Sequence, residues 1–340
     1  MVREHNRLAD ELAKAHPTWS DEQIFQRARA IVIGELQAIT YNEYMPALLG
    51  RENVPDYTGY NPLAVAQTSL TFATGAFRVP HSQVANDFLL LGPGGQPTGR
   101  VGLFQGSFNP PLFQNPNLVD EVLRGSTVQL SEKTDPLVVD GLRNSFSDLA
   151  AEDIQRGRDH GLPDYNTLRG VLDRLRPTGR PFPVVTSFDQ ISSDPEIQAA
   201  LSELYDGDIN NIDMEVGLAA EDLPRDQFGN VTSSIGPTAA EIIRLTFQRL
   251  RDGDRFFFEN PISNGGLFTP EEIAEIDHTK LSDIIRRNTN VQDIQDNVFF
   301  APFSSVSPSN TGLLFGDSGN DDLLLGGENM LFPSMSQIIV

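Results

Sequence analysis

The chain has 340 residues, 39% of them hydrophobic and 21% charged, and its 47 acidic against 25 basic side chains leave a formal charge of −22. This fits one large globular domain or two smaller ones, holds no run near the roughly 18 apolar residues of a membrane span, and is too acidic to favour a phosphate backbone as partner. The absence of Cys removes disulfides, thiolate metal sites and Cys nucleophiles together, and the opening MVREHNRLADEL lacks the apolar stretch of a signal peptide.

Residues 2–15 carry Leu8, Leu12 and Ala15 at helical spacing. Ser20 and Gln23 fit a capping box, with Asp21 and Glu22 in the first turn of a helix that runs to about Ile39. Its apolar stripe is Ile24, Ala28, Ile31 and Leu36, widened by Val32 and Ile33. Residues 46–62, punctuated by Pro and Gly, read as a loop, and residues 63–91 as a long helix kinked at Pro80. LGPGGQPTG is a turn, and residues 101–104 form a short strand. Helices are expected at 117–124, 135–145, 147–159, 165–176, 194–204, 237–252, 270–276 and 280–287. With no strand ladder, the fold class is mainly α with long irregular loops. Two regions follow, a domain over residues 1–303 and a polar Gly/Asp/Ser-rich tail over 304–340.

Five histidines are present: His5, His16, His81, His160 and His278. Without Cys, a transition metal would depend on one of them. His5, His16 and His278 read as surface or turn residues. His81 stands in the apolar tract AFRVPHSQV with Arg78 three residues earlier, on the same helical face. Such a pair can bind a metal and an acidic substituent at once. It can equally be a buried imidazole satisfied by a carbonyl beside a surface ion pair. In DLAAEDIQRGRDHG, residues 148–161, Asp153 and Arg156 share a face, and Arg158 and Asp159 suggest a network tying the helix to its loop. GDSGNDDLLLGG, residues 316–327, resembles one unit of a calcium-binding Gly-Asp repeat, but a single unit cannot stack into a solenoid. The phosphate-binding, dinucleotide, GxSxG and HExxH motifs are missing.

Taken together, the blocks REHNRLADELAKAHPTWSDEQIFQRARAIVIGELQAITYNEYMPALLG, AFRVPHSQV, AAEDIQRGRDHGLPDYNTLR, LYDGDINNIDMEVGLAAED, FQRLRDGDRFFFEN and DIIRRNTNVQDIQDNVFF resemble the animal-type haem peroxidases, in order, over about residues 2–300. The flavour is that of a bacterial, Cys-free branch. The resemblance implies a mainly α fold that holds haem b between helices. It implies His81 as the iron ligand, with Arg78 and Arg156 on the haem propionates. It places Asp153 where most of the family has the Asn that accepts the proximal imidazole's N–H. A carboxylate there makes the imidazole more basic. The family's distal His, catalytic Arg and calcium loop precede the REHN motif, so no residue here is assigned a catalytic role and calcium stays open as a second cofactor.

The expected chemistry is oxidation of a halide or small organic donor by hydrogen peroxide. It is expected to be impaired in this chain, which reads as an N-terminally truncated member, secreted or extracytoplasmic by family. The alternative is a non-catalytic, calcium-responsive or adhesive module on the same scaffold.

Overall fold

A computed structural model describes residues 1–301 of the chain. The 304–340 tail and its Gly-Asp unit lie outside the described residues. Helix α1 (Val2–Ala15) buries Glu4 and Leu8, half-buries Leu12 and leaves Ala15 exposed. Helix α2 (Asp21–Ile39) starts on the expected capping box, with both reciprocal Ser20–Gln23 bonds present. Its buried stripe runs through Ala28 and Val32 to Ala38 and Ile39, while Ile33 faces outward.

The chain continues without a break through a wider π-type turn (Thr40–Tyr44) into α3 (Met45–Leu49). The expected loop therefore begins later than Pro46. Proline costs nothing in the first helical turn, where its missing N–H has no partner to lose. All of α3 lies in the interior apart from Pro46, and Leu48 and Leu49 are fully buried.

The expected long helix over 63–91 is absent. Only α4 (Leu70–Ala73) is α-helical; a 3₁₀ helix (Ala76–Gln83) and strand β1 (Asp87–Leu91) follow. Pro80 lies inside the 3₁₀ segment, whose shorter i→i+3 pattern an α-helix would have had to break in any case. Strand β1 pairs antiparallel with β2 (Pro97–Gly102) around the LGPGGQPTG turn. The strand expected at 101–104 thus lies slightly earlier, and Leu103 opens α5 (Leu103–Phe108).

Helices α6 (Pro116–Ser126), α7 (Asp140–Arg143) and α8 (Leu149–Asp159) come next. Then follow α9 (Tyr165–Leu175), α10 (Pro195–Leu204) and α11 (Met214–Ala220), the last unforeseen from the sequence. Helices α12 (Pro237–Asp252), α13 (Pro270–Asp277) and α14 (Leu281–Asn288) complete the described part. The helix expected over 135–145 shrinks to the single turn of α7. The fold is mainly α, as the sequence indicates, with one two-stranded hairpin among the described residues.

The largest apolar cluster joins α3, α4, the 3₁₀ helix, α9, α11 and α12 through Leu48, Phe72, Val79, Tyr165, Leu218 and Ile243. The 3₁₀ helix is clamped inside it. At Gly75, just before that helix, a Cβ would stand 2.2 Å from Met214 Cε of α11 and 2.8 Å from the Thr71 carbonyl oxygen. Gly217 meets Tyr165 as closely, at 2.3 Å from Cγ. These two glycines let α11 lie directly on both neighbours.

Candidate functional site at His81

The site is built where the 3₁₀ helix, α8 and α11 meet. In a 3₁₀ helix the side chains at i and i+3 eclipse one another. Arg78 and His81 therefore share a face, as the sequence suggested, through a different helix geometry. His81 Nδ1 lies 2.7 Å from Asp153 Oδ2, across 72 residues of sequence. An ionised carboxylate only accepts, so Nδ1 carries the proton and donates it. Nε2 keeps its lone pair and has no hydrogen-bond partner among the described residues.

Asp153 is 1% exposed and is the one buried residue of α8. Its neighbour Glu152 is exposed, so adjacent acids do point to different faces. Its second oxygen, Oδ1, is buried without a hydrogen bond; the nearest cation atom is Arg78 Nε at 3.7 Å. Arg78 donates that Nε to the Ala73 carbonyl at 2.9 Å and leaves its terminal amines uncommitted among the described residues. Arg156 is exposed on α8, one turn beyond Asp153, with no ion-pair partner among the described residues.

Arg158 does what a structural arginine would: it forks onto Asp213 at 2.9 and 2.6 Å, tying α8 to the entry of α11. The remaining histidines are occupied elsewhere. His5 Nε2 lies 3.3 Å from the Phe25 carbonyl oxygen, His16 stacks on Trp19, His160 caps α8 and His278 caps α13.

Sequence reasoning missed Glu215, in the first turn of α11. Its Oε2 is buried and unpartnered. Burial first, then the neighbouring Asp153 charge, pushes its carboxyl up to about 8, against a smaller downward pull from Arg78. An acid in a helix's first turn is ordinary, so no local signal could have singled it out. A cavity of about 100 Å³ lies beside Asp153, lined by Thr74, Asp153, Arg158, Asp213 and Glu215 among others.

These donors suit haem. A neutral imidazole with Nδ1 anchored presents Nε2 to iron, and Arg78, three residues earlier on the same face with uncommitted terminal amines, offers donors for a carboxylate. Haem, when bound, supplies the redox-active iron; this chain's own residues anchor and orient the imidazole.

The animal haem peroxidase profile matches residues 1–299. Peroxinectin A of Dictyostelium discoideum is 36% identical over 308 residues, covering 88% of this chain and 53% of that protein. The human peroxidasin homolog is 34% identical over 318 residues, covering 87% of this chain and 20% of its own length. Among solved structures, peroxidase A from Dictyostelium discoideum superposes with a TM-score of 0.75 at 36% identity, covering 87% of this chain and 55% of that one. The rice fatty acid alpha-dioxygenase shares the fold at a TM-score of 0.64 and 20% identity, covering 84% of this chain and 53% of that one. The chain thus spans about half the length of peroxinectin A. With the profile matched over nearly the whole described structure, the chain belongs to the animal haem peroxidase family.

Proposed function

We propose that this chain binds haem b through His81 and supplies the proximal half of a peroxidase site. The observation that carries this reading is the 2.7 Å bond from His81 Nδ1 to buried Asp153, which leaves Nε2 free. Asp153 fixes the ring's tautomer and raises its basicity. Arg78 and Arg156 hold the propionates by charge-assisted hydrogen bonds. The substrates on this reading are hydrogen peroxide and a small electron donor, a halide or an organic molecule, in a secreted or extracytoplasmic setting. Domain 1–303 carries the site. Among the described residues no helix is long and apolar enough to cross a membrane.

Peroxide cleavage needs a base to move a proton from the inner to the outer oxygen and a cation to stabilise the leaving hydroxide. No residue of these 340 is assigned either role. Each such group contributes on the order of a hundredfold or more in rate, so the chain on its own is expected to turn over slowly.

Haem titration tests the reading. The chain should develop a Soret band that His81→Ala abolishes, and a full-strength band in that variant would overturn the ligand. Peroxide consumption by the 340-residue chain at the rate of an intact peroxidase would overturn the missing distal half and implicate His5, His16, His160 or His278.

A further inference from the structure

The cavity beside Asp153 is also lined by a second carboxyl, that of the half-buried Glu215, which the proximal pair does not explain. Asp153 and Glu215 both line it, and each has one oxygen, Oδ1 and Oε2, that is buried without a hydrogen-bond partner. The two come from different helices, α8 and α11, which pack on each other and on the 3₁₀ helix of His81. An orphaned carboxylate oxygen needs a donor; a buried carboxyl that keeps its proton is one. No direct hydrogen bond joins the two oxygens. A cavity of about 100 Å³ with polar walls has room for a bridging water.

We propose that Glu215 is a positioning residue for the proximal histidine: its carboxyl O–H donates, through water held in this cavity, to Asp153 Oδ1. The proposal rests on the reading of His81 as the haem ligand for its consequence, but not for its geometry. The other charged groups that share the cavity are Arg158 and Asp213, paired with each other, and Asp164, which accepts from the Thr167 amide and hydroxyl, while Arg78 faces Asp153 from the 3₁₀ helix. Burial and the Asp153 charge favour the protonated form of Glu215 that donation requires. A donor on Oδ1 draws negative charge from Oδ2. The His81–Asp153 bond is then weaker, and the imidazole less basic, than Asp153 alone would make them. Glu215 thus moderates the push that a carboxylate partner gives the iron ligand.

The test begins on the ligand-free 340-residue chain, so that it does not depend on haem. A ring N–H held against a carboxylate resonates far downfield and moves further as that bond strengthens. With 15N-labelled histidine, the His81 Nδ1 proton is identified by its loss in His81→Ala. Glu215→Leu and Glu215→Met, which cannot donate, should each move it downfield, so either suffices if the other fails to fold. Glu215→Gln, which keeps an amide donor, should leave it near its original position. In Asp153→Asn, where an amide replaces the charge, the Leu substitution should have no effect. An upfield shift or no shift in both non-donor variants overturns the proposal, as does a Gln shift as large as theirs. In the haem-loaded chain, the iron reduction potential should fall in Glu215→Leu and hold in Glu215→Gln. A Soret band that survives His81→Ala would overturn the haem reading and leave the proton shifts to decide the role of Glu215 separately.

Discussion

Two buried carboxylates of this protein sit about one helix apart in the fold and are treated in opposite ways. Glu221, at the end of α11, is wholly enclosed. It accepts hydrogen bonds from Tyr165 Oη at 2.6 Å, Arg169 Nη1 at 2.8 Å, the Thr238 hydroxyl and the Thr238 amide at 2.8 Å. Burial pushes its carboxyl up, and these four partners pull it back. Asp153, equally buried, has one oxygen on His81 and the other on nothing. Glu221 holds α9, α11 and α12 together and has nothing left to offer. Asp153 is held in place yet incompletely satisfied. A buried polar group without its partner costs free energy, and such groups concentrate where a chain does chemistry.

Breaking the first cluster should be the most costly change. Arg169→Met leaves Glu221 buried without its cation, and removing one partner of a buried pair costs about 3–5 kcal/mol. The urea unfolding midpoint should drop accordingly; a change below about 1 kcal/mol would show that the Thr238 and Tyr165 bonds suffice. At the His81 site the same kind of substitution should affect ligand binding in place of stability. Arg78→Leu or Arg156→Leu should weaken haem affinity by roughly one to two orders of magnitude, from about 1.5–3 kcal/mol per charge-assisted bond. Equilibrium titration reads this directly, and unchanged affinity in both variants would remove the propionate assignment.

The pH dependence sharpens the contrast further. Glu215 is pushed up to about 8 in the folded chain, so the native state keeps a proton that the unfolded chain releases near 4.5. Its contribution is full below pH 4.5 and is lost as pH rises towards about 8. Glu35 and Glu43, buried on α2 and in the π-type turn and pushed to about 7, act in the same direction. Glu215→Gln should therefore flatten the stability profile between about pH 4.5 and 8, most fully near the middle of that window, where each pH unit is worth about 1.4 kcal/mol. Denaturation series at pH 6, 7 and 8 would measure it, and an unaltered slope would place Glu215 in contact with bulk water.

The smallest effect is expected at the exposed Arg158–Asp213 fork. Arg158 is 58% exposed, and such pairs are worth about 0–1 kcal/mol. Arg158→Ala should shift the unfolding midpoint little, and less in high salt. A larger loss would mean that the fork holds α11 against α8.

Much of this was written locally. The capping box at Ser20, the amphipathic helices α9 and α12, and the i,i+3 spacings of Arg78 with His81 and of Asp153 with Arg156 could be read in the chain because each depends on residues a few positions apart, whereas the family resemblance alone linked the two pairs. The same locality misled over 63–91. There an apolar run looked helical, but Pro80, the close approach of Met214 at Gly75 and the pairing of β1 with β2 divided it into three elements.

Helix α11 escaped notice because it is buried on nearly every side. MEVGLAA carries no polar face, and a helix without one shows no period. Glu215 went unseen with it. Composition and motif pointed to the family and the helical class, and the resemblance singled out His81 as the ligand proposed here. Only tertiary structure could decide that one oxygen of Asp153 is left over once the other meets His81, and that a second carboxyl lines the same cavity. Those facts belong to packing between distant segments, where burial alters the charge state of a group whose neighbours in sequence are unremarkable.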